Sequence, residues 1–256
     1  MVAEVKILLK GFTNADSVAE TGEERTRATT TLVRDGNIVM VVDPGVLESQ
    51  DILVDALAKE NLTVQDVNIV CITHSHIDHY RNIGMFPDAK TLEFYGLWDK
   101  ESVEEWKEQF STNIQVQRTP GHDHTEISLF VTTKDGIVAI CGDVFWKENY
   151  PEQADDDQFA SDTEKLRDSR KMVLKMSDWI VPGHGDIYKT RKAQAQNIQK
   201  EGGAVEAEEQ IKTVTRCRKC GRVMERFDKC MCRQWLCHHC CECGLDCDLC
   251  GCNHKK

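Results

Sequence analysis

The chain has 256 residues, a formal net charge of −11, and ordinary hydrophobic (40%) and charged (29%) contents. A chain of this length can bury one substantial core and a small appendage. It has no run of 18 or more apolar residues, and its first residues lack the apolar stretch of a secretory signal. We therefore expect no membrane-spanning helix and no membrane partner, and a cytoplasmic location, or a nuclear one in a eukaryote.

Cysteine and charge are unevenly distributed along the chain. Of 13 cysteines, 11 lie between Cys217 and Cys252. Residues 213–256 hold nine Lys/Arg and five Asp/Glu, which leaves residues 1–212 with a net charge of −15. Without a secretory signal, clustered cysteines indicate metal thiolates rather than disulfides. These contrasts predict a body (1–200), a polar linker (201–212) and a cysteine-rich domain (213–256).

Short strands alternate with amphipathic helices along the predicted body. The strands are rich in β-branched residues and are predicted over 5–12, 29–34, 38–43, 68–73, 114–118, 127–132 and 137–141. Helices are predicted over 49–60, 162–177 and 190–200. This α/β pattern with hairpins favours two packed sheets flanked by helices.

Three histidines and an aspartate lie within six residues directly after an apolar strand. The segment 73–81 reads THSHIDHYR and contains His74, His76, Asp78 and His79. A strand end followed by a tight loop can direct the first two histidines to one point, and the next helix can direct Asp78 and His79 to a neighbouring point. Imidazole and carboxylate groups are ligands that zinc accepts, so the pattern predicts a metal site.

Three more candidate ligands lie where strands end. His122 and His184 each follow a Pro-Gly pair, and Asp143 follows the apolar run 137–141. Functional groups are expected at such positions because the strands are rigid and the loops are open.

In this order, these motifs resemble the metallo-β-lactamase superfamily of αββα hydrolases, over roughly residues 1–195. Within it, the chain is similar to the small single-domain group of metallo-β-lactamase domain-containing proteins. The resemblance implies that His74, His76 and His122 hold one metal ion, that Asp78, His79 and His184 hold a second, and that Asp143 bridges the two. The segment Asp43-Pro-Gly matches the family's early Asp turn, where Asp43 is expected to order the turn rather than to bind metal.

The implied chemistry is hydrolysis by a hydroxide shared between two divalent metal ions. Asp78 is the predicted catalytic residue, because it would orient the nucleophile. Zinc is the expected metal, with iron or manganese as alternatives. The substrate stays open between a small-molecule ester or thioester and a phosphodiester, including RNA cut by an endoribonuclease, an activity with which the similar group has been linked.

The cysteine-rich domain predicts two or more structural zinc ions in a small finger. Cys217, Cys220, Cys237 and Cys240 have the spacing of one four-cysteine site. Cys230, Cys232, Cys247 and Cys250 would form a second. A finger that binds a protein partner is the leading interpretation; RNA contacts through Arg218, Lys219 and Arg222, or an adaptor or ubiquitin-ligase-like module, are the alternatives.

Two polar features near the motifs are expected to have no direct part in catalysis. His124 is predicted to be a solvent-exposed loop histidine. The acidic loop 148–157 is predicted to be solvated, with a lid over the site as the alternative.

Overall fold

The computed structural model describes residues 2–15, 22–148, 150 and 154–190, and the backbone of five short strands between residues 215 and 241. The chain divides into two compact units, Met1–Glu201 and Gly202–Lys256. No helix of the described residues is both long and apolar enough to cross a membrane.

The first unit contains two main β-sheets. The first sheet has seven strands in the order β1-β4-β5-β6-β7-β8-β9. Its strands are β1 (Glu4–Leu9), β4 (Thr30–Asp35), β5 (Ile38–Val42), β6 (Ile69–Cys71), β7 (Lys90–Leu92), β8 (Leu97–Asp99) and β9 (Ser102–Glu104). The β4–β5 hairpin turns at Asp35 to Ile38, as the Asp-Gly-Asn sequence predicts. The parallel pairs β5–β6 and β6–β7 bring the ends of β5 and β6 to the same edge.

The second sheet has five strands in the order β10-β11-β12-β13-β14. Its strands are β10 (Ile114–Arg118), β11 (Ile127–Thr133), β12 (Gly136–Ile140), β13 (Trp179–Val181) and β14 (Tyr188–Lys189). A small two-stranded ribbon pairs β2 (Phe12–Thr13) with β3 (Thr26–Arg27). The helices are α1 (Asp51–Lys59), α2 (Ile77–Tyr80) and α3 (Thr163–Met176).

The alternation of side chains along the strands builds the central apolar layer. Met40 and Val42 of β5 pack in one cluster with Leu129 and Val131 of β11, so the two sheets face each other. Because successive residues of a strand point to opposite faces, the residues between them face outward.

The outward residues pack under helices. Val41 lies in a second cluster with Leu53 and Leu57 of α1. Phe130 lies in a third with Leu166 and Val173 of α3. The order is therefore helix, sheet, sheet, helix, which confirms the predicted mixed α/β sandwich.

Most of the predicted elements match, with informative differences. The strand predicted over 5–12 divides into β1 and β2, with Gly11 packed against Thr29 between them. The sequence patterns missed several strands that are only two or three residues long, namely β3, β7, β8, β9, β13 and β14. The helix predicted over 190–200 and the linker lie outside the described residues.

The second unit contains five short strands whose backbone is described. They are β15 (Thr215–Arg216), β16 (Val223–Met224), β17 (Phe227–Lys229), β18 (Trp235–Cys237) and β19 (Cys240–Cys241). The strands β15 and β16 pair with each other, and β17, β18 and β19 form an antiparallel three-stranded sheet.

Candidate metal centre

All seven candidate ligands of the body come together at one edge of the sandwich. They form two groups whose ligand atoms lie within 4.8 Å of one another in each group. The groups are His74, His76, His122 and Asp143, and Asp78, His79 and His184. The chain supplies them from the β6–α2 loop and α2, the β10–β11 loop, the turn after β12 and the turn after β13. Asp143 is counted with the first group, and Asp78 with the second.

In the first group, three ring nitrogens converge. His74 Nε2 lies 3.0 Å from His76 Nδ1, and His122 Nε2 lies 3.2 Å from the same atom. His74 and His122 are buried, whereas His76 is partly exposed. When these rings are neutral with their protons on the outward nitrogens, three lone pairs converge and repel one another, so the arrangement favours a cation among them.

In the second group, His79 and His184 face Asp78. Asp78 Oδ2 lies 3.9 Å from His79 Nε2 and 3.6 Å from His184 Nε2. The same carboxylate oxygen accepts a hydrogen bond from Thr26 Oγ1 at 3.0 Å. Through this contact, Thr26 of the β2–β3 ribbon holds the side chain of Asp78 in place.

Asp143 lies between the two groups. Its Oδ1 is 3.5 Å from His79 Nε2, and its Oδ2 is 3.2 Å from His184 Nε2 and 3.4 Å from His122 Nε2. One carboxylate therefore faces histidines of both groups, as a bridging ligand would.

The ring nitrogens that point away from the centre have partners in the protein. His79 Nδ1 lies 2.9 Å from Asp43 Oδ2, and His122 Nδ1 lies 2.8 Å from Asp157 Oδ2. His184 Nδ1 lies 3.0 Å from the carbonyl oxygen of Arg27. An acceptor at Nδ1 places the proton there and leaves Nε2 with its lone pair directed inward.

Asp43 belongs to neither ligand group and instead orients its neighbours. Its carboxylate accepts hydrogen bonds from the Thr73 backbone N–H (2.8 Å) and the Thr73 hydroxyl (2.7 Å), besides facing His79. It has a left-handed backbone, with φ of 48°. The expected role beside the site agrees with this geometry.

The donor set fits a pair of divalent cations. Both His79 Nε2 and Asp143 Oδ1 are buried and lack a hydrogen-bond partner among the described residues, which is costly unless a cation pairs with them. Although burial by itself lowers the pKa of His79, the carboxylates of Asp43 and Asp143 raise it to about 10. Burial also lowers the pKa of His122, but the hydrogen bond to Asp157 favours the charged ring, and the pKa rises to about 9. The site therefore attracts positive charge at both positions.

Two glycines make room for the bridging carboxylate. A Cβ on Gly183 would overlap Asp143 Oδ1. Gly142 has φ of 48°, and a Cβ there would press against Thr73 Oγ1 at 2.6 Å. Glycine is thus required at positions 142 and 183 by the close packing around Asp143.

The sequence patterns missed two carboxylates that hold the site. Asp157 was predicted to be solvated but is only 4% exposed, because its carboxylate takes hydrogen bonds from His122 and from Trp146 Nε1, the latter at 3.2 Å. Glu126 is fully buried, accepts from the Asp143 backbone N–H at 2.7 Å, and has a pKa raised by burial. No local motif signals a carboxylate 35 residues away from the histidine that it contacts.

His124 and the cysteine-rich segment contain the remaining candidate residues, and neither belongs to the two groups described above. The side chain of His124 is 73% exposed, as predicted. The side chains of the cysteine-rich domain lie outside the described residues: Cys217, Cys220, Cys230, Cys232, Cys237, Cys240, Cys247, Cys250, Arg218, Lys219 and Arg222.

A cavity of about 270 Å³ opens onto the cluster. His76, Asp78, His122, Asp143 and His184 form its floor. Its walls and mouth are formed by residues of the β2–β3 ribbon, α2 and the segment after β12, namely Thr13, Ala15, Glu24, Thr26, Ile77, Trp146 and Phe159. The two groups are therefore accessible to a small molecule.

The sequence of this chain is similar to known proteins of one superfamily. The family model described as the metallo-beta-lactamase superfamily matches residues 25–103. Metallo-beta-lactamase domain-containing protein 1 of Xenopus laevis is 31% identical over 202 residues, which cover 73% of this chain and 82% of the relative.

Solved structures share the fold. A metallo-beta-lactamase-type protein from Thermotoga maritima aligns with a TM-score of 0.58 at 21% identity, over 74% of this chain and all of that one. An N-acyl homoserine lactone hydrolase, with its product bound at the catalytic metal centre, aligns with a TM-score of 0.54 at 17% identity, over 80% and 96%. At these identities the likeness concerns the fold alone.

Proposed function

Because the chain belongs to the metallo-β-lactamase superfamily and is a metal-dependent hydrolase, we propose that its seven clustered side chains hold two divalent cations and hydrolyse an ester, thioester or phosphodiester. The position of Asp143 carries this proposal. One carboxylate faces histidines of both groups at 3.2–3.5 Å, which suits a two-cation centre better than a single ion.

Each side chain has a defined part in the proposed chemistry. A pair of divalent cations supplies Lewis acidity and lowers the pKa of water towards neutrality. Asp143 balances the charge of both cations, and the five histidines fix their positions. Asp78 lines the cavity and is held by Thr26, so it can orient the attacking water. Hydrolysis adds water across the bond: a C–O or P–O bond forms, the bond to the leaving group breaks, and the leaving group takes a proton.

Zinc is the proposed metal. Imidazole nitrogen and carboxylate oxygen are ligands that zinc binds in catalytic sites. The same ligands suit iron and manganese, so elemental analysis of protein purified without added metal distinguishes the three.

The experiment compares metal-free and metal-loaded protein on generic carboxylic and phosphodiester substrates. Asp143→Ala and His76→Ala should abolish metal-dependent turnover while circular dichroism shows a retained fold. His124→Ala is the matched control, because this histidine is exposed and belongs to neither group. Near-complete activity in Asp143→Ala would refute the proposal.

We also propose that residues 213–256 form a zinc-binding finger after a linker at 201–212. Support comes from the spacing of the cysteine pairs 217/220 and 237/240. Full-length protein should contain more zinc per chain than the two ions of the body. Loss of zinc in a Cys217→Ser, Cys220→Ser double variant, with the body's content unchanged, is the expected result.

Endoribonuclease activity is a second candidate, favoured by the basic residues near the first cysteine pair. Phosphate contacts by basic residues make nucleic-acid binding weaken as salt rises. RNA binding that depends on salt, and that falls when Arg218, Lys219 and Arg222 are replaced by alanine, would support this candidate. RNA binding unaffected by those substitutions would count against it.

A further inference from the structure

The mouth of the cavity carries exposed apolar side chains. Ile77, at the start of α2, is 53% exposed, and Phe159 is 46% exposed, although both line the cavity. Between the mouth and the floor, the indole of Trp146 packs against the Phe159 ring with 5.5 Å between ring centroids. Exposed apolar residues that cluster at a cavity commonly mark a ligand-binding surface. This wall can take an apolar group of a substrate whose reacting bond lies at the floor.

The charged side chain at the mouth of the cavity is unfavourable for a polyanion. Glu24 lies at the mouth and is exposed, whereas the negative charges of Asp78 and Asp143 at the floor would be offset by the proposed cations. No lysine or arginine among the described residues lines the cavity. The guanidinium of Arg27 in β3 donates to the Lys10 carbonyl at 2.8 Å and lies over the Phe12 ring. Recognition of a nucleic-acid backbone normally depends on basic side chains beside its phosphates.

From the apolar wall and the acidic mouth together, we infer that the substrate is an uncharged acyl ester or thioester, whose apolar acyl chain lies against Ile77 and Phe159. Glu24 disfavours acyl chains that end in a carboxylate. This inference rests on the proposed function and narrows its substrate class. In the reaction, water attacks the acyl carbon, the bond from that carbon to oxygen or sulfur breaks, and the products are a carboxylic acid and an alcohol or thiol.

A chain-length series tests the apolar wall. Full-length, metal-loaded protein is assayed on 4-nitrophenyl esters from acetate to hexanoate. Burial of each methylene should raise kcat/KM about twofold to fourfold, since part of the wall stays exposed. Phe159→Ser should flatten this dependence, so that kcat/KM falls more for hexanoate than for acetate, whereas Phe159→Leu should keep most of the dependence.

Leu174→Ser is the matched control for the wall. Leu174 is a similarly exposed apolar residue (41%) on α3 and does not line the cavity. It should show the same chain-length dependence as wild type. A dependence that survives Phe159→Ser, or that Leu174→Ser also removes, would overturn the assignment of the wall.

A second pair of substrates tests Glu24. Pentanoyl and glutaryl thioesters of N-acetylcysteamine have acyl chains of equal length, and only the second ends in a carboxylate. Wild type should prefer the uncharged one. Glu24→Gln should reduce that preference by about twofold, because a solvent-exposed charge acts through a high dielectric. Glu23→Gln, at the exposed neighbour outside the cavity lining, should leave it unchanged.

The possible failures are distinguishable. Ester turnover that is independent of chain length and of acyl charge would overturn the inference and leave the proposed function standing. Cleavage of RNA without turnover of any ester would overturn the acyl substrate class and favour the endoribonuclease. Two bound metal ions with no turnover of any ester, thioester, phosphodiester or RNA would contradict the proposed function itself.

Discussion

Replacement of Asp157 by asparagine tests how the protein holds His122. The native carboxylate receives three donors: His122 Nδ1 at 2.8 Å and Trp146 Nε1 at 3.2 Å on Oδ2, and the Phe159 backbone N–H at 2.9 Å on Oδ1. An asparagine has the same shape but only one accepting oxygen. If that oxygen stays with His122, the new amide N–H faces the Phe159 N–H. If the amide group is rotated by 180°, its N–H faces the two side-chain donors, His122 and Trp146.

Either orientation leaves at least one partly or fully buried donor facing another donor. We expect Asp157→Asn to cost about 1–3 kcal/mol of folding stability in the metal-free protein. Loss of the acceptor behind a metal-binding histidine typically weakens metal binding by about 10- to 100-fold. The weakening should affect the group of His74, His76 and His122 and leave the other group nearly unchanged.

The assay is calorimetric titration of metal-free protein with zinc, supported by the absorption spectrum of the cobalt-substituted form. Asp155→Asn is the control, because Asp155 is exposed and, in the part of the chain that the structure describes, pairs with Arg167 at the surface. Zinc affinity and cobalt spectra of Asp157→Asn that match those of wild type would refute the argument that Asp157 positions His122.

Three further predictions concern the rest of the centre. Asp43→Asn removes the negative acceptor behind His79 and should reduce the metal bound in the body from two ions to about one at limiting zinc. Elemental analysis measures this content, and two bound ions would contradict the prediction. Gly183→Ala introduces a Cβ that overlaps Asp143, so both metal content and melting temperature should fall, and wild-type values would show that the overlap is harmless. Removal of metal with a chelator should lower the melting temperature, since ligand at about 100 times its Kd adds about 2.7 kcal/mol to the stability of a protein with one site; an unchanged melting temperature would indicate that no cation was bound in the folded state.

The gathering of the seven candidate side chains at one edge follows from the sequence for a physical reason. Five of the seven lie in the loop or turn that follows a strand, Asp78 and His79 lie in the short helix α2 that begins after β6, and the ends of neighbouring strands meet at one edge of the sandwich. The apolar alternation that places Met40 and Val41 on opposite faces also fixes the orientation of those ends. Local sequence therefore determines both the ligand types and their approximate direction.

The residues behind the ligands are not predictable in the same way. Asp157 looks like one more acidic residue of a polar loop, and only the folded backbone brings it to His122. Glu126 similarly becomes a buried acceptor of the Asp143 N–H because β11 and the turn after β12 are adjacent. The short strands β7–β9 were missed because three residues are too few to show an alternating pattern.

The most direct test is anomalous X-ray diffraction at the zinc absorption edge from crystals grown with zinc. We predict two peaks in the body, one among His74 Nε2, His76 Nδ1 and His122 Nε2, and one among Asp78, His79 Nε2 and His184 Nε2, with Asp143 in contact with both. A well-folded protein in saturating zinc with no peak at either position would contradict the account.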